Sequence, residues 1–459
     1  MLSNSVLELD RDHLIHPLSA YRQHEAAGVR ILSSAKGAVV VDSEGHRLLD
    51  GFAGLWCVNA GYGHDSIVEA AAEQMRRLPY ATGYFGLGSD PAVRLAAALA
   101  DRAPGNLDHV FFTLGGSDAV DSTIRFIRRY NHALGRPRKD QFISLEQGFH
   151  GSSTAGAGLT ALSAFHAGFG VPYEWQHKIP SHYIYRNPVG DDPQAIIDAS
   201  VAQLRAKVEE IGAERVAAFY AEPIQGSGGV LVPPAGWLKA MADTCRSLDI
   251  LFVADEVITG FGRTGPLFAC EEDGVVPDFM TLAKGLTSGY SPMGAVLMAD
   301  HVYQVIADDA GEKPVGHGYT YSGHPVSAAV GLEVLRLYES GLLENGRRAG
   351  ARLMKGLQAL AGHPLVGDVR GRGMLAAIEL VTDKTTRTPL PAASRPSEHI
   401  FDRAYANGLI IRAFGSGAIG FAPPLCCTDD EIDAILEKTK RTLDQTLDDP
   451  DVRPHVKGS

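Results

Sequence analysis

From about residue 65 to residue 298 the chain alternates amphipathic stretches of helix length with short apolar runs. Each run stops at a polar, charged or glycine residue. Ser66–Leu78, Pro91–Ala103, a stretch ending near His132, Ala195–Ile211 and Pro234–Leu248 have helical periodicity. Val110–Thr113, Phe142–Leu145, Val216–Tyr220, Ile250–Ala254, Phe279–Leu282 and Ala295–Met298 have strand length and composition. A chain that alternates in this way buries both faces of a mostly parallel sheet under helices. Before it, Ala38–Leu49 predicts a hairpin turning at Ser43-Glu44-Gly45. After it, Val326–Glu339 and Arg347–Leu360 are expected to be helices. Met374–Leu380, Leu409–Arg412 and Ile419–Ala422 suggest a smaller α+β unit. The first fifteen or so residues and those from Asp449 onward are polar and are expected to be loose.

A chain of 459 residues is long enough for two domains. Its net charge of −12 disfavours nucleic acid and anionic membrane as partners. No apolar run approaches the roughly 20 residues that cross a bilayer, and Glu8, Asp10, Arg11 and Asp12 occupy the place of an apolar leader. The five cysteines lack metal-ligand spacing. Cys57, Cys245 and Cys270 are scattered, and Cys426 and Cys427 are adjacent, as expected of reduced thiols in the cytoplasm. His13-Leu14-Ile15-His16 is too little for a metal centre, and no metal is expected.

The chemistry collects at the ends of the apolar runs. Ile250-Leu-Phe-Val-Ala254 stops at Asp255, and Phe279-Met-Thr-Leu-Ala283 stops at Lys284. Gly115-Gly116-Ser117, Phe149-His150 and Glu222 end three more runs. Ligands of open parallel sheets bind beyond the carboxyl ends of the strands. An amine and a carboxylate placed there suit pyridoxal phosphate, which needs a lysine for its Schiff base and an acid for its ring nitrogen. Gly116 and Ser117 stand where a helix begins, and its free N–H groups could bind phosphate; alternatively, Ser117 is only a helix N-cap. Asp255 could be surface charge beside Glu256, but five preceding apolar residues favour a buried carboxylate that needs a partner. Lys284 could be solvated, although its place after a buried strand suits an amine of lowered pKa.

Taken together, these segments resemble the class III aminotransferases, fold type I pyridoxal phosphate enzymes, and within them the ω-amine and ω-amino acid:pyruvate transaminases. The resemblance is carried by Asp50–Asn59, Gly115–Asp121, Gly148–Gly151, Glu222–Gly229, Ala254–Gly265, Leu282–Gly285, Tyr319–Pro325 and the stretch from Arg412 to Pro424. It implies a large cofactor-binding domain (residues 63–328) and a smaller α+β domain built from residues 1–62 and 329–459. It also implies that Lys284 forms the Schiff base and then acts as general base, and that Asp255 holds the ring nitrogen protonated. Val257 and Phe149 would cover the two ring faces, Gly116 and Ser117 would bind the phosphate, and His150 and Glu222 would order the site. Thr320 resembles a threonine that reaches the phosphate of the neighbouring subunit, so a homodimer with shared sites is expected, alone or within a tetramer. Trp56 and Tyr84 resemble the aromatics that enclose the apolar part of an amine. Arg412 resembles the mobile arginine that pairs with a keto-acid carboxylate; Trp56 could instead be core, and Arg412 a surface cation.

Two positions depart from the pattern. Phe149 stands where this branch commonly has tyrosine, and Asp118 where a glutamate is common. The expected reaction is transfer of an amino group from a primary amine or ω-amino acid to a 2-oxo acid, pyruvate first among them. Aminomutases and a decarboxylase share the fold and remain alternatives. A regulatory, non-catalytic protein would lack the lysine or carry a DNA-binding segment. There is no Gly-x-Ser-x-Gly elbow and no phosphate loop ending in Gly-Lys-Ser/Thr.

Overall fold

The computed structural model describes residues 5–415 and 417–457. Three strands open the chain: β1 (Leu32–Lys36), β2 (Val39–Asp42) and β3 (Arg47–Asp50). Seven follow: β4 (His109–Thr113), β5 (Gln141–Leu145), β6 (Gln176–Ile179), β7 (Val216–Ala221), β8 (Leu251–Asp255), β9 (Phe279–Leu282) and β10 (Gly294–Met298). These seven form one sheet in the order β4-β10-β9-β8-β7-β5-β6. The strands from β6 to β9 pair in parallel, and β10 runs antiparallel to both β9 and β4. Strands β5, β7, β9 and β10 are buried along their whole length, as expected of a sheet covered on both faces. With β10 reversed, the carboxyl ends of the other six share one edge. Glu222, Asp255 and Lys284 therefore converge there although they are far apart in sequence.

The last part of the chain adds β11 (Val366–Arg372), β12 (Leu375–Asp383), β13 (Thr388–Pro389), β14 (Leu409–Ile410), β15 (Arg412–Ala413) and β16 (Ile419–Phe421). β14 joins the N-terminal hairpin by pairing in parallel with β3. β11, β12, β16 and β15 form a third sheet, with β13 on β12. The single strand expected over Leu409–Arg412 is thus broken at Ile411, where the chain leaves one sheet and enters another. That step sets Arg412 on a different sheet from Leu409.

Both ends differ from the expected loose tails. Ser5 and Glu8 form a reciprocal capping box at the start of the Val6–His13 helix. Asp10 of that helix is buried and meets the Nε2 atoms of His16 at 2.6 Å and His24 at 2.9 Å, which clasps the arm to the Tyr21–Ala27 helix. His16, set aside as part of a loose arm, is therefore a structural contact. At the other end Val452 is buried, and the Lys457 N–H donates to the Thr382 carbonyl at 2.9 Å. All five cysteines are free thiols. Among the described residues, no helix is long and apolar enough to cross a membrane.

Candidate active site

The carboxyl edge of the large sheet opens into a cavity of about 310 Å³. Gly116, Ser117, Phe149, His150, Glu222, Asp255, Val257 and Lys284 all line it. Eight of the expected residues, drawn from five strand ends, are thus brought together.

Asp255 closes β8 and is 3% exposed. One carboxylate oxygen meets Nδ1 of His150 at 2.8 Å. The other accepts from the Thr281 hydroxyl at 3.0 Å and the Val257 N–H at 3.2 Å. Thr281 is the register partner of Asp255 on β9. Sequence reading missed Thr281, although its place three residues before Lys284 on the neighbouring strand was a usable signal. Cys57, Thr287 and Ser291 also line the cavity and were not foreseen.

Lys284 follows β9 in the left-handed region, at φ 43°, an uncommon conformation for a residue with a side chain. The next position must be glycine. A Cβ on Gly285 would come within 2.6 Å of the Asn59 amide nitrogen and 2.8 Å of Phe261. Burial lowers the Lys284 pKa, opposed by the nearby Cys57, Asp255 and Glu222. An amine so placed loses its proton more readily than one in water.

The Gly116–Ala133 helix starts at the cavity. Its N-cap is Gly115, with no side chain capping the first turn. Ser117 therefore lies inside the helix and is not its N-cap, and the open N–H groups there can receive an anion. The Ser117 hydroxyl accepts from the Ser152 N–H at 3.1 Å. Val257 packs so closely on this turn that a Cβ on Gly116 would be 2.9 Å from it. Phe149 stands edge-on to Phe165 at 5.1 Å. Glu222, 3% exposed, accepts the backbone N–H groups of Phe149 and Gly226, each at 2.9 Å. Burial, with a further contribution from Asp255, raises its pKa to about 7. An open helix start, a carboxylate, an amine and flanking hydrophobic side chains around one cavity fit a flat phosphorylated pyridine such as pyridoxal phosphate.

Trp56 does not line the cavity itself, but its ring lies 5.7 Å from the Lys284 Nζ. Phe52 lies at 4.4 Å from that ring and Phe414 at 6.4 Å. The guanidinium of Arg412 sits 5.7 Å above Phe414. Its Nε is buried without a partner, and burial lowers its pKa. Among the described residues, no carboxylate pairs with it.

Tyr84 and Thr320 lie outside the cavity. The Tyr84 hydroxyl packs on Gly318, and the Thr320 carbonyl accepts from the Tyr80 hydroxyl at 3.0 Å. Both side chains are exposed, beside Phe85 (92% exposed) and Tyr321.

The family model for class III aminotransferases matches residues 20–443. The putrescine–pyruvate aminotransferase of Pseudomonas aeruginosa is 44% identical, with 95% of each chain covered. The diaminobutyrate–2-oxoglutarate transaminase of Halomonas elongata is 37% identical, with 96% of each covered. The crystal structure of the omega transaminase from Pseudomonas jessenii in complex with PMP superposes with a TM-score of 0.94. It is 37% identical and covers 97% of this chain and 98% of its own.

Proposed function

The chain belongs to the class III aminotransferases, fold type I enzymes that move an amino group onto a 2-oxo acid, and from that premise we propose a primary amine or ω-amino acid as its donor and pyruvate as its acceptor. Diamines come first among the donors, because the putrescine–pyruvate enzyme is 44% identical over nearly the whole chain. The observation that carries the reading is the meeting of Lys284 and Asp255 in one cavity, with Arg412, which pairs with no carboxylate among the described residues, behind an aromatic wall.

When bound, pyridoxal phosphate supplies an electron-accepting ring that stabilises negative charge at the substrate carbon. The protein positions and protonates around it. Asp255, itself held by His150 and Thr281, would hold positive charge at the ring nitrogen. Lys284 Nζ, lowered in pKa, takes and returns the proton at the substrate carbon. Gly116 and Ser117 would receive the phosphate at the open helix start. Val257 and Phe149, which line the cavity, would flank the ring, and Glu222 fixes the Phe149 backbone.

The two substrates take turns in one cavity. The wall of Phe52, Trp56 and Phe414 suits the carbon chain of an amine. Among the described residues Arg412 pairs with no anion, and it can meet the carboxylate of the keto acid. The exposed patch of Tyr84, Phe85, Thr320 and Tyr321 supports a homodimer in which these residues complete the cavity of the second copy. The large sheet is drawn wholly from residues 109–298, which supports a large domain over 63–328 and a smaller one from 1–62 and 329–459. The free thiols support a cytoplasmic setting.

The test is product analysis with the holoenzyme. Putrescine, an ω-amino acid and an aryl amine are each supplied with pyruvate or with 2-oxoglutarate. The reading expects alanine from pyruvate, fastest with an aliphatic amine. Glutamate from 2-oxoglutarate as the faster product overturns the acceptor. Carbon dioxide release or an internal amine shift without any keto acid would make the protein one of the fold's other enzymes.

A further inference from the structure

Ser122 sits two turns into the Gly116–Ala133 helix and is fully buried. Its hydroxyl donates to the Asp118 carbonyl one turn back, at 2.6 Å. With its only proton spent, the oxygen can otherwise only accept. Two groups approach it from the irregular segment that precedes Thr320: His317 Nε2 at 2.9 Å and the Tyr319 hydroxyl at 3.2 Å. His317 is therefore the tautomer with its proton on Nε2. Its Nδ1 is buried and has no partner among the described residues, so in that tautomer the orphaned atom is an acceptor rather than a donor. The ring is stacked on Phe111 at 5.0 Å and stands edge-on to Phe126 and Tyr319, each at 5.3 Å. Arg125, one residue beyond Ile124 on the same helix, donates to the Gly316 carbonyl at 2.9 Å. Burial and the charge of Arg125 drive the His317 pKa down to about 4, so the ring is neutral at working pH.

We propose that His317, seated on Ser122, is a positioning residue that fixes Thr320 relative to the phosphate-binding helix start, so that each subunit's own cofactor helix sets the geometry of the threonine it offers its partner. This rests on the proposed homodimer with shared sites. The same helix has two tasks. Its first turn faces one cavity through Gly116 and Ser117. Its second turn grips, through Ser122, the segment whose Thr320 lies outside that cavity. The grip is rigid because it combines a shared oxygen, a ring stack and a backbone carbonyl.

The experiment measures pyridoxal phosphate affinity of the apoprotein, with the apoprotein's melting temperature recorded beside it. His317→Phe keeps the ring stack and removes the hydrogen bond to Ser122. His317→Gln restores an N–H close to the Nε2 position. Thr320→Val is measured alone and combined with His317→Phe. The expected result is an affinity about 2- to 13-fold weaker for His317→Phe, the range one lost hydrogen bond to a neutral group gives. Affinity should return in His317→Gln, and His317→Phe should have no added effect once Thr320 is valine. A Thr320→Val protein that binds as tightly as the wild type overturns the shared-site reading, and the anchor with it. If Thr320→Val weakens binding and His317→Phe does not, the shared site stands and the anchor is wrong. Additive effects in the double variant, or a melting temperature that falls equally in His317→Phe and His317→Gln, would reduce His317 to a folding role and overturn the proposal.

Discussion

Nδ1 of His150 lies 2.8 Å from the Asp255 carboxylate, and both side chains are almost wholly buried. The contact occupies one oxygen, Thr281 and the Val257 N–H occupy the other, and Asp255 lines the cavity. Asp255→Asn preserves the shape and removes the charge. Turnover should fall at least about 100-fold, the loss typical of removing one preorganised electrostatic partner. The apoprotein's melting temperature should change little. Steady-state kinetics and a melting curve check this; turnover within a factor of a few of the wild type would remove Asp255 from the chemistry.

Arg412 has no anion among the described residues and stacks on Phe414. Arg412→Ala should raise KM for pyruvate about 10- to 100-fold, the range of a charge-assisted hydrogen bond, and leave KM for an uncharged monoamine nearly unchanged. Kinetics with each substrate varied separately decide it. Equal losses for both would sink the idea that one arginine serves the acceptor alone.

Glu222 gives a pH dependence of known sign. Burial raises its pKa from 4.5 to about 7 in the folded protein. Between those values the folded state holds a proton that the unfolded state has lost, so the contribution of Glu222 to stability declines as pH rises from about 4.5 through 7. Glu222→Gln should remove that decline, so the apoprotein's melting temperature should fall less steeply between pH 5 and about 8 than in the wild type. Parallel curves for the two proteins would contradict the assignment.

Arg263 is fully buried and, among the described residues, pairs with no carboxylate. Its guanidinium donates to the Asn59 side chain and to the Pro423 carbonyl, both at 2.6 Å. It joins the segment after Asp255 to both ends of the chain. Arg263→Met leaves two buried acceptors without donors, at about 1–3 kcal/mol each. The melting temperature should drop by several degrees, and Lys284 should also be disturbed, because Asn59 packs on Gly285. An unchanged melting temperature would mean that water replaces the guanidinium.

The large sheet was legible because its central strands β5, β7, β8 and β9 are buried almost throughout, so each reads as an apolar run with a chemical residue at its end. Asp255 and Lys284 stand out for that reason. β6 was not legible: Gln176, His177 and Lys178 make a polar edge strand, with Lys178 satisfied by Ser144 and the Gly158 carbonyl. The break at Ile411 could not be read either, since an apolar run looks the same whether it serves one sheet or two. The N-terminal arm carried a readable signal, the Ser5/Glu8 box, which its polarity obscured. Thr281 became visible only once strand register set it opposite Asp255. Tyr84 and Thr320, expected at the site from the resemblance, stand exposed outside the cavity of their own chain.

The most direct measurement is the visible absorption spectrum of the purified holoprotein and of its Lys284→Ala variant, each before and after adding amines without keto acid. The account predicts a visible band in the wild type that bleaches to the near ultraviolet as the amine surrenders its nitrogen. It predicts recovery when pyruvate is added, and neither the lysine-dependent band nor the turnover in the variant. A Lys284→Ala protein with the wild-type band and wild-type turnover, or a wild type that shows no band after pyridoxal phosphate is supplied, would contradict it.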